Sequence, residues 1–316
     1  MVYPVFYLIE NFVDFRQLKE EYEEFRNYPF NLERGIEMKR KKLILCFIGA
    51  VLLMTGCGGE ASLPAYSNLS EEQVREQFET ELIQAGAAET DAQKSMEIVK
   101  EYNDSIQNTS LVEEGYASFD MTMPEYDIDA IQDLWMKNNP DFIGYNCRIT
   151  AFGLMKDLIT VQDTGGRNTE YLFLDEAALD TRELFTAEER EKFETVFSEI
   201  KTDASTDTKK QIGVQREYWK KVGVTFDEES KLSLITVYLH SHIDENENSL
   251  IAGHAGVLLD TGNEILFFEK ISFELPYQLI RFEDRDQLKE YLMRCYDVDT
   301  TGECASPFIL ENDRVL

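Results

Sequence analysis

Cys147, His254 and Glu269 are the residues whose types and order could carry a reaction. A thiol is a nucleophile as its thiolate, and it works with a base, usually an imidazole, that a third group orients. Cys147 follows a Gly144-Tyr145-Asn146 turn and opens a segment, Ile149 to Met155, that is apolar nearly all round and predicts a buried helix. A helix N-terminus favours the thiolate through its dipole. His254 opens a predicted strand, Gly253-His254-Ala255-Gly256-Val257-Leu258-Leu259. If Thr261-Gly262 is a two-residue turn, Asp260 faces Asn263 and His254 faces Glu269, with Cβ atoms about 5 Å apart. A three-residue turn would put Phe268 there instead. Tyr145 is the nearest candidate for an oxyanion or substrate contact. The opposing reading is a small buried hydrophobe and a structural histidine; the ordered trio is what argues for chemistry.

The remaining cysteines and histidines carry weaker signals. Cys295 and Cys304, nine residues apart, could close a small disulfide loop worth roughly 2.7 kcal/mol in the chain-entropy model, leaving Cys147 as the free thiol. Asp297-Val298-Asp299-Thr300-Thr301-Gly302 matches the first half of a calcium loop, but position 12 is Phe308 rather than a bidentate glutamate, so an acidic turn is expected. His240 and His242 share one strand face without a clear third ligand. No metal and no cofactor is expected.

The elements that must position the trio follow from periodicity. Ser70-Glu71-Glu72-Gln73 reads as a capping box before a helix with Val74, Phe78 and Leu82 on one face, stopped by Gly86. Further helices are predicted over Asp91 to Ile106, Asp127 to Asn138, and near 187–200 and 207–222. From Leu232 the pattern alternates and predicts a strand to His240, then a polar loop over His242–Asn248. Strands are expected at Ile251–Leu259, Glu264–Lys270, Tyr277–Phe282 and Phe308–Leu310, with a helix over Asp284–Tyr296. Helices first and then an antiparallel sheet make the fold class α+β.

Composition narrows the function. The chain of 316 residues carries 61 acidic and 31 basic residues, and its net charge of −30 argues against nucleic acid. No run of 18 apolar residues occurs, so a multi-span membrane protein is excluded. Residues 1–56 hold eight acidic and eight basic side chains, so the whole net charge lies in 57–316.

Met38-Lys39-Arg40-Lys41-Lys42, the apolar run Leu43 to Met54, and Thr55-Gly56-Cys57 resemble a bacterial lipoprotein signal. Leu53-Met54-Thr55-Gly56-Cys57 would be the lipobox, with Met54 where leucine is usual. That resemblance implies cleavage before Cys57, a diacylglyceryl thioether on its sulfur, and anchoring at the outer face of the bacterial cytoplasmic membrane. The expected organisation is a signal at 38–56, a tether at 57–68 and one α+β domain at 69–316. Met38 is the expected start, with 1–37 as over-called upstream sequence: Glu33-Arg34-Gly35 can be encoded by a purine-rich ribosome-binding run. An amphipathic extension, with Phe12, Phe15, Leu18 and Tyr22 at helical spacing, is the alternative.

The order Cys147, His254, Glu269, on a buried helix and then two strands, resembles the papain-like, NlpC-type cysteine peptidases. There the cysteine begins a buried helix, the histidine begins a later strand and a polar residue closes the next. The chain departs from that pattern at Asn146-Cys147-Arg148, where Asp-Cys-Ser is usual, and at Glu269, where His, Asn or Asp is usual. Phe142-Ile143-Gly144-Tyr145-Asn146-Cys147-Arg148-Ile149-Thr150-Ala151-Phe152 and His254-Ala255-Gly256-Val257-Leu258-Leu259 more closely resemble a family of lipoproteins from Gram-positive bacteria that brings no assigned activity. The papain-like resemblance implies hydrolysis of an amide in a cell-wall or exported peptide. The rival is a non-catalytic binding or scaffold lipoprotein. A solute-binding lipoprotein would show two βαβ lobes, and no such alternation is present.

Overall fold

The computed structural model describes residues 63–244 and 247–316. The predicted signal, Cys57, residues 1–37 and the tether up to residue 62 lie outside the described residues. Helices dominate the first part. β1 (Ala65–Ser67) leads into α1 (Glu72–Ala85) and α2 (Glu89–Ser105). β2 (Ala117–Ser118), α3 (Ile128–Asn138), α4 (Cys147–Met155) and β3 (Ile159–Thr160) follow. A 3-10 turn, Glu170–Leu172, runs into α5 (Phe173–Thr181), then α6 (Ala187–Val196), β4 (Ile200–Lys201), α7 (Thr208–Val222) and β5 (Thr225–Phe226). The long strands come next: β6 (Leu232–Asp244), β7 (Glu247–Asp260), β8 (Ile265–Lys270) and β9 (Tyr277–Phe282). α8 (Arg285–Tyr296), β10 (Phe308–Glu311) and β11 (Arg314–Val315) close the chain. The class is α+β.

The main sheet is antiparallel throughout, in the order β11-β10-β6-β7-β8-β9-β1-β2, with β4 paired to β7 beside this path. Both faces are covered. Phe78, Val99, Phe152, Phe193 and Trp219 from the helical layer pack with Leu234, Val257 and Phe268 on one face. On the other, Leu288, Tyr291 and Leu292 of α8 pack with Ile235, Leu258, Phe267 and Ile280. Successive strand residues point to opposite faces, so Val257 and Leu258, or Phe267 and Phe268, feed different layers. That is why β7 and β8 read as nearly continuous apolar runs. Each such side chain contributes about 1.5–3 kcal/mol on burial.

Several expectations are corrected. Residues 65–68, read as tether, belong to the fold: Tyr66 pairs with Ile280 and with Ala117, and Asn68 is fully buried. Three residues are too few for periodicity to reveal a strand. The Ser70 capping box does not form; the Ser70 hydroxyl donates to the Val112 carbonyl and α1 has no side-chain cap. The polar stretch 242–248 is largely strand, because β6 and β7 stay paired out to Asp244 and Glu247. α5 went unpredicted; its mixed acidic and apolar residues carry little period.

The β6–β7 ladder slips once near the site. Val237 faces His254 and Tyr238 faces Ala252, so Gly253 is an extra residue in a β-bulge. A Cβ on Gly253 would stand 2.4 Å from Leu239 Cδ1. Gly253→Ala is expected to destabilise the fold by about 1–3 kcal/mol through overpacking, read as a lower urea midpoint at unchanged slope.

Candidate functional site

Three elements place the trio. Asn146 caps α4: its Oδ1 accepts the Ile149 N–H at 3.0 Å, which starts the helix at Cys147 as expected. β7 pairs with β8 over Gly256–Asp260 and with β4 at Ser249–Leu250. His254 lies in the interval between those two pairings, where α4 packs against β7.

The turn between β7 and β8 is longer than predicted. Asp260 pairs with Ile265, so four residues, 261–264, make the connection. Thr261 organises it, its Oγ1 donating to the Glu264 carbonyl at 2.9 Å and accepting the Glu264 N–H at 3.1 Å. Glu269 therefore faces Gly256 rather than His254. A slip of two residues preserves the face, so Glu269 and His254 become diagonal neighbours. Gly256 offers no side chain between them. His254 Nε2 and Glu269 Oε2 are 2.6 Å apart. The second carboxylate oxygen, Oε1, accepts from the Tyr291 hydroxyl at 2.6 Å. Tyr296 stacks on the imidazole, ring centroids 4.9 Å apart and planes 21° apart.

The imidazole is also near enough to the Cys147 thiol for each to shift the other's ionisation, and with Nε2 held by Glu269 it is Nδ1 that remains for the sulfur. Cys147, His254 and Glu269 are 5%, 1% and 1% exposed. Burial resists ionisation of both the thiol and the imidazole. Their mutual attraction and hydrogen bond outweigh it, with help from Arg148 on the thiol and Glu269 on the imidazole. The Cys147 thiol is held below its ordinary range and His254 is raised to about 9. Thiol and imidazole thus each bias the other towards its charged form.

Arg148 and Asp175 were missed by sequence reasoning. The guanidinium donates to both carboxylate oxygens of the fully buried Asp175, at 3.0 and 2.6 Å, and to the Ala252 carbonyl at 2.9 Å. Asn146 Nδ2 adds a bond to Asp175 Oδ1 at 2.8 Å. The adjacency of Arg148 to Cys147 was the one available signal; nothing local in the sequence links either to Asp175.

Tyr145 is placed differently from the expectation. Its ring packs edge-on against Phe142, centroids 5.0 Å apart, and lines a cleft with Lys94, Thr150, Phe185 and Tyr277. Burial pushes its phenol up to about 12, and the charges acting on it are Arg182 and Glu101. Its hydroxyl makes no bond to the trio among the described residues.

The disulfide expectation is also corrected: Cys295 and Cys304 are both free thiols. Cys295 lies on α8 beside Glu269 and Tyr291, where burial pushes its thiol up to about 12. Cys304 belongs to the following loop, where its N–H donates to Asp299 Oδ2 at 3.3 Å. Asp299 Oδ1 takes the Thr301 N–H and hydroxyl, so this segment folds as the expected acidic turn. His240 Nδ1 accepts the Ala305 N–H at 3.0 Å, and His242 Nδ1 is 2.6 Å from Asn248 Oδ1. Among the described residues no group of three or more His, Cys, Asp or Glu could hold a metal ion. No helix among them is long and apolar enough to cross a membrane.

Residues 65–316 match one protein family, described as Domain of unknown function (DUF4300). No curated protein and no solved structure is significantly similar to the chain.

Proposed function

We propose a function for this chain, which belongs to the DUF4300 family: it is an exported, lipid-anchored cysteine hydrolase that cleaves an amide bond of a cell-wall or exported peptide. The observation that carries the reading is the continuous contact from the Cys147 thiol through His254 to Glu269, with the thiol on the first residue of α4. The Cys147 sulfur attacks the carbonyl, His254 gives its proton to the leaving amine, and Glu269 keeps the ring oriented. Water then attacks the thioester, His254 takes its proton, and the thiolate leaves. The N–H groups of Cys147 and Arg148, among the first donors of the helix, are suited to receive the oxyanion. The papain-like resemblance supports this order of residues.

The anchor rests on the lipobox-like segment ending at Cys57. From Cys57 to β1 is eight residue steps, about 28 Å at full extension. The substrate would therefore be met close to the membrane.

Turnover is expected to follow a bell in pH, measured on a peptide substrate or, without one, as the rate of Cys147 alkylation by a peptidyl chloromethyl ketone. The acid limb reports ionisation of Cys147 and lies below an ordinary thiol. The alkaline limb of turnover reports loss of the imidazolium and is expected near pH 9.

A second reading, a non-catalytic binding or scaffold lipoprotein, is favoured by the low exposure of the trio, 5%, 1% and 1%. Labelling with iodoacetamide between pH 5 and 9 separates the two. A Cys147 that labels in the folded protein at neutral pH, and loses that reactivity in His254→Ala, supports the hydrolase. A Cys147 that labels only on unfolding supports the scaffold.

A further inference from the structure

Arg148 follows the nucleophile in sequence, yet its guanidinium is bonded to neither His254 nor Glu269. All three of its arms are used elsewhere. Nε and Nη2 fork onto Asp175 and Nη1 donates to the Ala252 carbonyl. Asp175 also takes Asn146 Nδ2, so one buried carboxylate fixes the residues on both sides of Cys147. The third arm ends two residues before His254, on the carbonyl beside the Gly253 bulge. There β7 lies between its pairings with β8 and β4, so a side chain bridges where a strand does not.

Stability alone is a poor reason for this arrangement. Removing an ion pair from water costs several kcal/mol per ion, and well-packed apolar residues often replace such pairs without loss. Geometry is a better one. A planar fork with five fixed donors can hold a carboxylate and a carbonyl at once, whereas a lysine ammonium acts as a point charge.

We propose that Arg148 is a positioning residue of the thiol site: it is a strut from Asp175 to the Ala252 carbonyl that sets the separation between the Cys147 sulfur and the His254 ring. This rests on the hydrolase reading. The positive charge of Arg148 also favours the thiolate, and Asp175 opposes it.

The test is the pH profile of Cys147 alkylation by iodoacetamide in the full chain, read by mass spectrometry on the peptide that carries Cys147. Four proteins are compared: wild type, His254→Ala, Arg148→Lys, and the double variant Arg148→Gln with Asp175→Asn. The double variant removes both charges together, so no buried carboxylate is left unpaired. Arg148→Lys keeps the charge and loses the three-armed grip. Both Arg148 variants are expected to raise the midpoint by about one pH unit, a tenfold fall in thiolate at pH values well below the wild-type midpoint. Folding is followed by urea denaturation in parallel. A folded Arg148→Lys protein with the wild-type profile overturns the strut, because charge alone then suffices. A folded double variant with that profile overturns it as well. Failure of the hydrolase reading shows elsewhere: wild-type Cys147 would then titrate as an ordinary thiol, or His254→Ala would leave its profile unchanged.

Discussion

His254→Ala is expected to lower the alkylation rate of Cys147 at pH 6.5 at least tenfold and to move its midpoint to about 8.5 or above, the ordinary thiol range. Burial by itself drives a thiol upward, because a thiolate in a dry site is poorly solvated. In this fold that tendency is reversed by the imidazole, which supplies both a hydrogen bond and a positive charge. Without it the sulfur keeps its burial and loses its principal counter-charge. Each pH unit by which the midpoint moves corresponds to about 1.4 kcal/mol between the protonation states. The iodoacetamide rate between pH 5 and 9, with native folding checked by circular dichroism, gives the answer directly. An unchanged midpoint would mean that the thiol and the imidazole do not interact.

Glu269→Ala should be the more damaging substitution for the fold. Glu269 is 1% exposed and has two partners, His254 and Tyr291, each at 2.6 Å. Truncation leaves a buried imidazolium without its carboxylate and a buried phenol without its acceptor. Breaking a buried pair in this way costs about 3–5 kcal/mol. Glu269→Gln should cost less, since Oε1 can still accept from Tyr291. Its amide nitrogen is a donor, however, and obliges His254 Nε2 to accept, which disfavours the imidazolium. Chemical denaturation and Cys147 alkylation therefore respond differently in Glu269→Gln: the fold survives while the thiol loses reactivity. His254 is raised to about 9 in the fold, so its contribution to stability is fully present below about 6.5, the unfolded value, and is lost as pH rises towards 9; the lowered Cys147 thiol acts in the opposite sense, and the two offset each other in that window.

Much of the framework was legible because its signals are local. α4 was readable from Asn146-Cys147 and the apolar run behind it, and β9 from a short stretch bounded by polar residues. The pairing of His254 with Glu269 was legible as a face, since parity survives a change of two residues in turn length. Its register was not, because Thr261 closes the turn through side-chain bonds that lengthen it. Arg148, Asp175 and Tyr291 were out of reach for a different reason. Their partners lie 104, 27 and 22 residues away in the chain, and no periodicity encodes such distances. The two-residue strands β2 to β5 fail the same way, existing only through what lies opposite them.

The trio draws on both layers of the sandwich: Cys147 comes with the helices, while His254 and Glu269 face α8, whose Tyr291 and Tyr296 complete their surroundings. α8 follows every other contributor to the site in the chain. The surroundings of the His254–Glu269 pair are therefore complete only once this helix, the last of the contributors in the chain, has packed against β7 and β8.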